Sequence, residues 1–132
     1  MIVIDTHILV WWANDDKALS PSARKTLNKE LAEDEQIIIS SISVWEISML
    51  INKGRLVLNT DLERWLDNVA GIDGIRFWPI DNEIAMKSTQ LPGEFHKDPA
   101  DRMIVATARE LACPLVTADE KIIDYKHVET IW

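Results

Sequence analysis

The chain is 132 residues long, 47% hydrophobic and 27% charged, with 22 acidic against 14 basic side chains and a formal net charge of −8. That length and balance point to one compact domain spanning 1–132, able to bury a core without disulfides, and exclude disordered, collagen-like and low-complexity chains. The acidic excess argues against passive nucleic-acid binding, which relies on clustered Lys and Arg, but not against an enzyme that reaches phosphates through bound cations.

In chain order, the β-branched run Ile2-Val3-Ile4 predicts a short strand, and His7 starts a helix. Ile8 to Ala13 is apolar on every face, more than one amphipathic helix needs, so it is either fully buried or a subunit or partner contact; the contact is the favoured expectation. Ser20-Pro21 reads as an N-cap followed by proline at the first helical position, opening a helix to about Leu31. Gln36 to Ser40 is a second strand. Ser43-Val44-Trp45-Glu46 has capping-box spacing and leads into Ile47, Leu50 and Ile51, ending near Gly54; Thr60-Asp61-Leu62-Glu63 repeats it before Trp65, Leu66 and Val69. Ile75 to Ile80 predicts a third strand. Asp98-Pro99-Ala100-Asp101 opens a helix whose apolar positions Met103, Ile104, Thr107, Ala108 and Leu111 keep the helical period, and Pro114 to Thr117 and Val128 to Trp132 predict two last strands. Strands alternating with helices imply an α/β chain with a mainly parallel sheet between helical layers.

Ligands of open parallel sheets bind beyond the carboxyl ends of the strands. Asp5 follows the first strand, Glu46 lies in the first turn of the helix after the second, and Asp119 follows the fourth; Asp101 joins them if the Pro92 to Pro99 loop brings its helix to that edge. Gathered carboxylates repel one another, which protonation or a divalent cation relieves; oxygen ligands without a Cys or His cluster suit Mg²⁺ or Mn²⁺, which favours phosphodiester hydrolysis. Each acid also has a plainer role. Asp98 fits an N-cap, Asp101 suits the helix dipole, Glu46 completes a capping box, and Asp119 can cap the segment Glu120 to Asp124. Asp5 differs, because an acid ending a buried strand has no cap to make. Spacing alone leaves the metal site and the caps equally open.

A lone cysteine, Cys113, forms no internal disulfide and fits a reducing, cytoplasmic setting. The start, Met-Ile-Val-Ile-Asp, lacks a basic segment, so no signal peptide is expected, and no apolar run is long enough for a membrane span. His7 has the chemistry of a general base but serves equally by bonding to backbone, and it is left outside the catalytic set. His96 and His127 offer no ligand spacing with Cys113.

The ordered motifs bear a resemblance. Ile-Val-Ile-Asp5-Thr6-His7 with Leu9, Trp11 and Trp12, then Ser41-Ile42-Ser43-Val44-Trp45-Glu46-Ile47, then Phe95-His96-Lys97-Asp98-Pro99-Ala100-Asp101-Arg102-Met103-Ile104 with Ala106-Thr107-Ala108, and finally Leu115-Val116-Thr117-Ala118-Asp119, together with the closing Ile131-Trp132, resemble PIN-domain proteins of the VapC toxin-ribonuclease type, collinearly over essentially the whole chain. The resemblance implies a three-layer α/β/α sandwich, Mg²⁺- or Mn²⁺-dependent RNA cleavage, a VapB-type antitoxin partner and a homodimer. Carried over residue by residue, it implies that Asp5, Glu46, Asp101 and Asp119 bind metal and catalyse, with Thr6 and Thr117 as supporting hydroxyls. Ala100 departs from relatives, which often carry an aromatic there. Arg102 and Lys97, and less directly Lys53 and Arg55, flank the implied site as RNA-backbone contacts, with solvated surface charge as the alternative; Arg102 is best placed.

Rivals fare worse. A haloacid-dehalogenase-type phosphatase needs an acid where His7 stands, a response-regulator receiver needs an acidic pair at the first strand end, and a dinucleotide-binding domain needs a glycine-rich turn that is absent. A PIN-like binding module without catalysis is the remaining alternative.

Overall fold

The computed structural model describes residues 1–132. The elements, in order, are β1 (Ile2–Ile4), α1 (Thr6–Ala13), α2 (Pro21–Ala32), β2 (Ile37–Ser40), α3 (Ser41–Asn52), α4 (Leu62–Ala70), β3 (Ile75–Trp78), α5 (Asn82–Thr89), α6 (Pro99–Glu110), β4 (Leu115–Val116), α7 (Glu120–Ile123) and β5 (Thr130–Ile131). The strands form one sheet in the order β3-β2-β1-β4-β5, every pair parallel, so the sheet is wholly parallel where a mainly parallel one was expected.

Both faces of this sheet are covered, which is why its central strands are nearly pure isoleucine and valine. Alternation sends Ile2, Ile4, Ile37, Ile39 and Val116 to one face, against Ile8 and Leu9 of α1, Leu27 of α2, Ile47 of α3 and Trp65 of α4. It sends Val3, Ile38 and Leu115 to the other, against Ile84 of α5, Ile104 and Val105 of α6, and Ile122 of α7. The result is a three-layer α/β/α sandwich.

Capping explains most helix starts. Ser20 accepts from Ala23 N with Pro21 at the first helical position, and Asp98 accepts from Ala100 N and Asp101 N before Pro99. Lys53 caps the end of α3, and Gly54 follows with a φ of +70°, a left-handed turn that glycine adopts without strain.

Elsewhere the structure corrects the expectations. β2 runs straight into α3, so Ser40 is the N-cap and Ser43 lies inside the helix; Glu46 therefore belongs to no capping box. Asp61, not Thr60, caps α4. α1 starts immediately after β1, so Asp5 does occupy a cap position, accepting from Thr6 N. α5 has no counterpart in the expected elements. Only Ile84 and Ser88 of it are buried, too few apolar residues to mark a helical period, although Asp81 caps it with Glu83 in its first turn. The run Ile8 to Ala13 divides: Ile8 and Leu9 are fully buried, while Val10, Trp11 and Trp12 pack on the core yet stay partly exposed, and Trp11 meets Trp132. Two indoles are exposed, that of Trp132 and that of Trp45, 56% accessible, which stands beside a hollow of about 350 Å³ that Ile42, Pro99 and the buried Ala100 help to line. No helix is long and apolar enough to cross a membrane.

From β1 the chain moves outward to β2 and β3, then returns to place β4 on β1's other side. The carboxyl ends of β1 and β4 therefore flank the point where strand order reverses, the usual ligand crevice of such sheets.

Candidate active site

A cleft of about 270 Å³ opens at that point, and Asp5, Glu46, Asp101 and Asp119 all line it, with Thr6, His7, Arg55 and an apolar wall of Val10, Trp11, Leu50 and Leu56. Backbone geometry dictates much of this. Asp5 leaves β1 and Thr117 leaves β4, neighbouring parallel strands, so the Thr117 hydroxyl donates to Asp5 Oδ2 at 2.7 Å while Thr6 N–H donates to Oδ1 at 2.8 Å. The same Thr117 oxygen accepts from Asp119 N–H at 3.1 Å and so turns the chain that carries Asp119. Asp119 Oδ1 accepts from Lys121 N–H, leaving its other oxygen free of any internal bond.

Thr6 ties the second acid to the first. Its hydroxyl donates to Glu46 Oε1 at 2.6 Å and lies 2.8 Å from Ser43 Oγ, joining α1 to α3. Ser43 was read as a cap; its buried position one turn before Glu46 makes it a positioning hydroxyl instead. Asp101 comes from the first turn of α6, and the loop before that helix folds back so that His96 Nε2 lies 2.6 Å from Asp101 Oδ2. In the sequence His96 has no ligand spacing with Cys113 or His127. It stands five residues before Asp101 across a proline-started helix, and no helical or strand register reveals that pair.

No lysine or arginine pairs with any of the four acids; their ionic partners are His7, 3.6 Å from Asp5, and His96. Burial pushes Glu46 up from 4.5 to about 7, against the pull of the Thr6 hydrogen bond and with a further push from Asp5, Asp101 and Asp98. Burial likewise raises Asp101, opposed by its bond to His96 and reinforced by Asp5, Asp98 and Asp119. These groups resist sharing negative charge as they stand, which is the electrostatic condition a divalent cation relieves. The donor set fits such an ion: hard oxygens, free lone pairs and no ammonium or guanidinium in ion-pair contact with them, Arg55 standing only in the cleft wall.

The remaining expectations separate. His7 Nε2 accepts from Ala118 N–H at 3.0 Å, so its lone pair is occupied and it does not act as a base in this arrangement. Arg102 is held within the fold rather than standing as a solvated charge. Its Nε donates to Ser88 O at 2.7 Å and its Nη1 to Phe95 O and His96 O, clamping the loop that presents His96. Arg102→Ala should therefore destabilise the fold by about 2–3 kcal/mol, and Arg102→Lys should not restore it, because an ammonium cannot span those carbonyls. Urea unfolding of the two variants checks this. Lys97 and Lys53 are exposed, and Arg55 reaches the cleft wall.

An all-parallel α/β/α sandwich with carboxylates over its switch point is the architecture of a PIN domain, and the chain belongs to that family: the PIN domain family model matches residues 2–128. Ribonuclease VapC22 of Mycobacterium tuberculosis is 29% identical over 133 residues, covering 99% of this chain and 98% of that one. Among solved structures, VapBC2 from Rickettsia felis, bound to a DNA fragment from its promoter, matches with a TM-score of 0.72 at 19% identity, over 98% of this chain and 97% of that one. Mycobacterium tuberculosis VapC20, a Sarcin-Ricin loop cleaving toxin, matches with a TM-score of 0.63 at 14% identity, over 98% of this chain and 99% of that one.

Proposed function

We propose that this chain, as a single domain of residues 1–132, is a metal-dependent endoribonuclease and the toxin component of a VapBC-type pair. Asp5, Glu46, Asp101 and Asp119 are its metal-binding and catalytic acids, and Mg²⁺ or Mn²⁺ is its cofactor. One observation carries the reading: the four acids share one cleft and none of them is ion-paired to a lysine or arginine. Membership of the PIN family and similarity to a ribonuclease support it. The cytoplasm, a VapB-type antitoxin and a homodimer belong to the same proposal, the antitoxin because VapBC complexes are among its structural neighbours.

The residues divide the work. A bound divalent cation would supply charge neutralisation at the scissile phosphate and a water acidic enough to attack it. Asp5 is held rigid by Thr6 and Thr117, so its position survives the binding and release of substrate. Thr6 fixes Glu46 Oε1 and leaves Oε2 without an internal hydrogen bond, while Asp119 keeps free the oxygen it does not use as a cap. Lys97 and Arg55 offer cationic contact to the RNA backbone at the rim. Because water attacks in line, the ribose 2′-hydroxyl is no nucleophile.

RNA incubated with the purified protein and Mn²⁺ should therefore give 5′-phosphate and 3′-hydroxyl ends, and chelation should abolish cleavage. End-labelling and ligation of the fragments read this directly. Terminal 2′,3′-cyclic phosphates would overturn the mechanism, and intact RNA under every metal condition would favour a PIN-like module that binds RNA or protein without cutting.

A further inference from the structure

We propose that His96 is a nitrogen ligand of this metal site and makes it selective for Mn²⁺ over Mg²⁺, an inference that rests on the cleft holding a divalent cation as argued above. The geometry is specific. One ring nitrogen of His96 and one carboxylate oxygen each from Asp101 and Asp119 lie within 4.8 Å of one another, close enough for a single ion to touch all three. The two imidazoles in contact with the acids, His7 on the cleft wall and His96 behind Asp101, are not equivalent. His7 has its Nε2 lone pair taken by Ala118 N–H, whereas His96 Nε2 faces a carboxylate and no backbone donor.

The segment around His96 is constructed to hold that ring in place. Phe95 packs on it with centroids 4.2 Å apart, and Arg102 grips the carbonyl oxygens of Phe95 and His96 from the helix that carries Asp101. Imidazole and Asp101 are thus fixed to one another by the same guanidinium, and neither can drift without the other. Nε2–H donates to Asp101 in the metal-free protein, so ligation takes the Nδ1–H tautomer, in which Nε2 offers its lone pair beside the two carboxylates.

That nitrogen changes which metal is preferred. Mg²⁺ takes oxygen ligands and gives up water reluctantly, so an imidazole adds little to its binding. Mn²⁺ lies at the start of the transition series, accepts nitrogen and carboxylate together, and gains from the mixed set. All-oxygen ligation, as the acids alone imply, would give no such discrimination.

The test is pulsed electron paramagnetic resonance of the Mn²⁺-loaded protein, with Mn²⁺ affinity taken from the free-ion signal and Mg²⁺ affinity from competition. The wild type should show a nitrogen hyperfine coupling and bind Mn²⁺ at least about tenfold more tightly than Mg²⁺. His96→Gln, whose amide can still donate to Asp101, should lose the coupling and most of the preference; His7→Gln should keep both. A wild-type spectrum with oxygen ligands only, or a coupling that survives in His96→Gln, overturns the inference, and the wild-type spectrum decides even if a variant folds poorly. A nitrogen-coupled Mn²⁺ site that cuts no RNA would sink the nuclease reading and leave this one standing. RNA cleavage at an all-oxygen site would do the reverse, and a wild type that binds no Mn²⁺ would overturn both.

Discussion

Asp101→Asn should abolish RNA cleavage, by roughly a thousandfold or more, while leaving the fold intact. Losing one oxygen that stabilises charge in the transition state costs several kcal/mol, and each ~1.4 kcal/mol is a factor of ten in rate. Asp101 is the right acid to test because its carboxylate bonds only to His96. Asp5 would be a poorer choice: it accepts from both Thr6 N–H and the Thr117 hydroxyl, so an asparagine there would turn an NH₂ toward a donor and damage the fold as well as the site. The metal-free Asp101→Asn protein should melt at or above the wild-type temperature, since one of several mutually repelling groups has gone. Lost cleavage together with retained or raised stability separates a chemical role from a structural one. Activity within a few-fold of wild type would remove Asp101 from the catalytic set.

The second large effect is the pH dependence that Glu46 imposes on the metal-free protein. Its carboxyl titrates near the ordinary 4.5 when unfolded and near 7 when folded, so the fold binds that proton more tightly than the unfolded chain does. A raised carboxylate gives stability that is complete below the unfolded value and is lost as pH rises through the folded one. Between pH 4.5 and about 7 this group should thus remove stability as pH rises, by at most about 3 kcal/mol. Glu46→Gln keeps an oxygen for the Thr6 hydroxyl and cannot ionise, so its advantage over wild type should be near zero at about pH 4 and largest above about pH 7. Thermal melts of the two proteins across that range, with chelator present, measure the difference. Saturating Mn²⁺ should erase it, because the cation compensates the charge that burial penalises. A pH-independent difference would mean that Glu46 is solvated or already neutralised.

Strands β1 and β2 were readable because each is short, β-branched and buried on both faces, a pattern that leaves little choice of structure in Ile2–Ile4 or Ile37–Ser40. Three of the acids were equally readable, since Asp5 and Asp119 follow strands and Asp101 opens a helix, whereas Glu46 lies inside α3. Spacing failed where a tertiary contact competed with a local one. Ser43 and Glu46 have the separation of a capping box, but the strand before them feeds α3 directly, and the Ser43 hydroxyl meets Thr6 from another helix. Arg102 looked like a free cation beside an acid because nothing local hints that three carbonyls, from Ser88, Phe95 and His96, surround it. His96 was invisible for the same reason: its partner is set by how a loop folds, not by any period. The run Ile8 to Ala13 divides between its two expectations: Ile8 and Leu9 are buried in the core, whereas Val10, Trp11 and Trp12 keep a partly exposed apolar surface beside Trp132.

Thermal unfolding with and without saturating Mn²⁺, on wild type, Asp101→Asn and Glu63→Gln, tests most directly whether the fold gathers these acids to hold a cation. Glu63, in the first turn of α4, has no part in the cleft and serves as the control. Ligand at a hundredfold its dissociation constant should stabilise the wild type by about 2.7 kcal/mol, roughly 10 °C for a domain of this size. The same rise in Glu63→Gln and its loss in Asp101→Asn is the predicted result. An equal rise in all three proteins, or none in the wild type, would contradict the account.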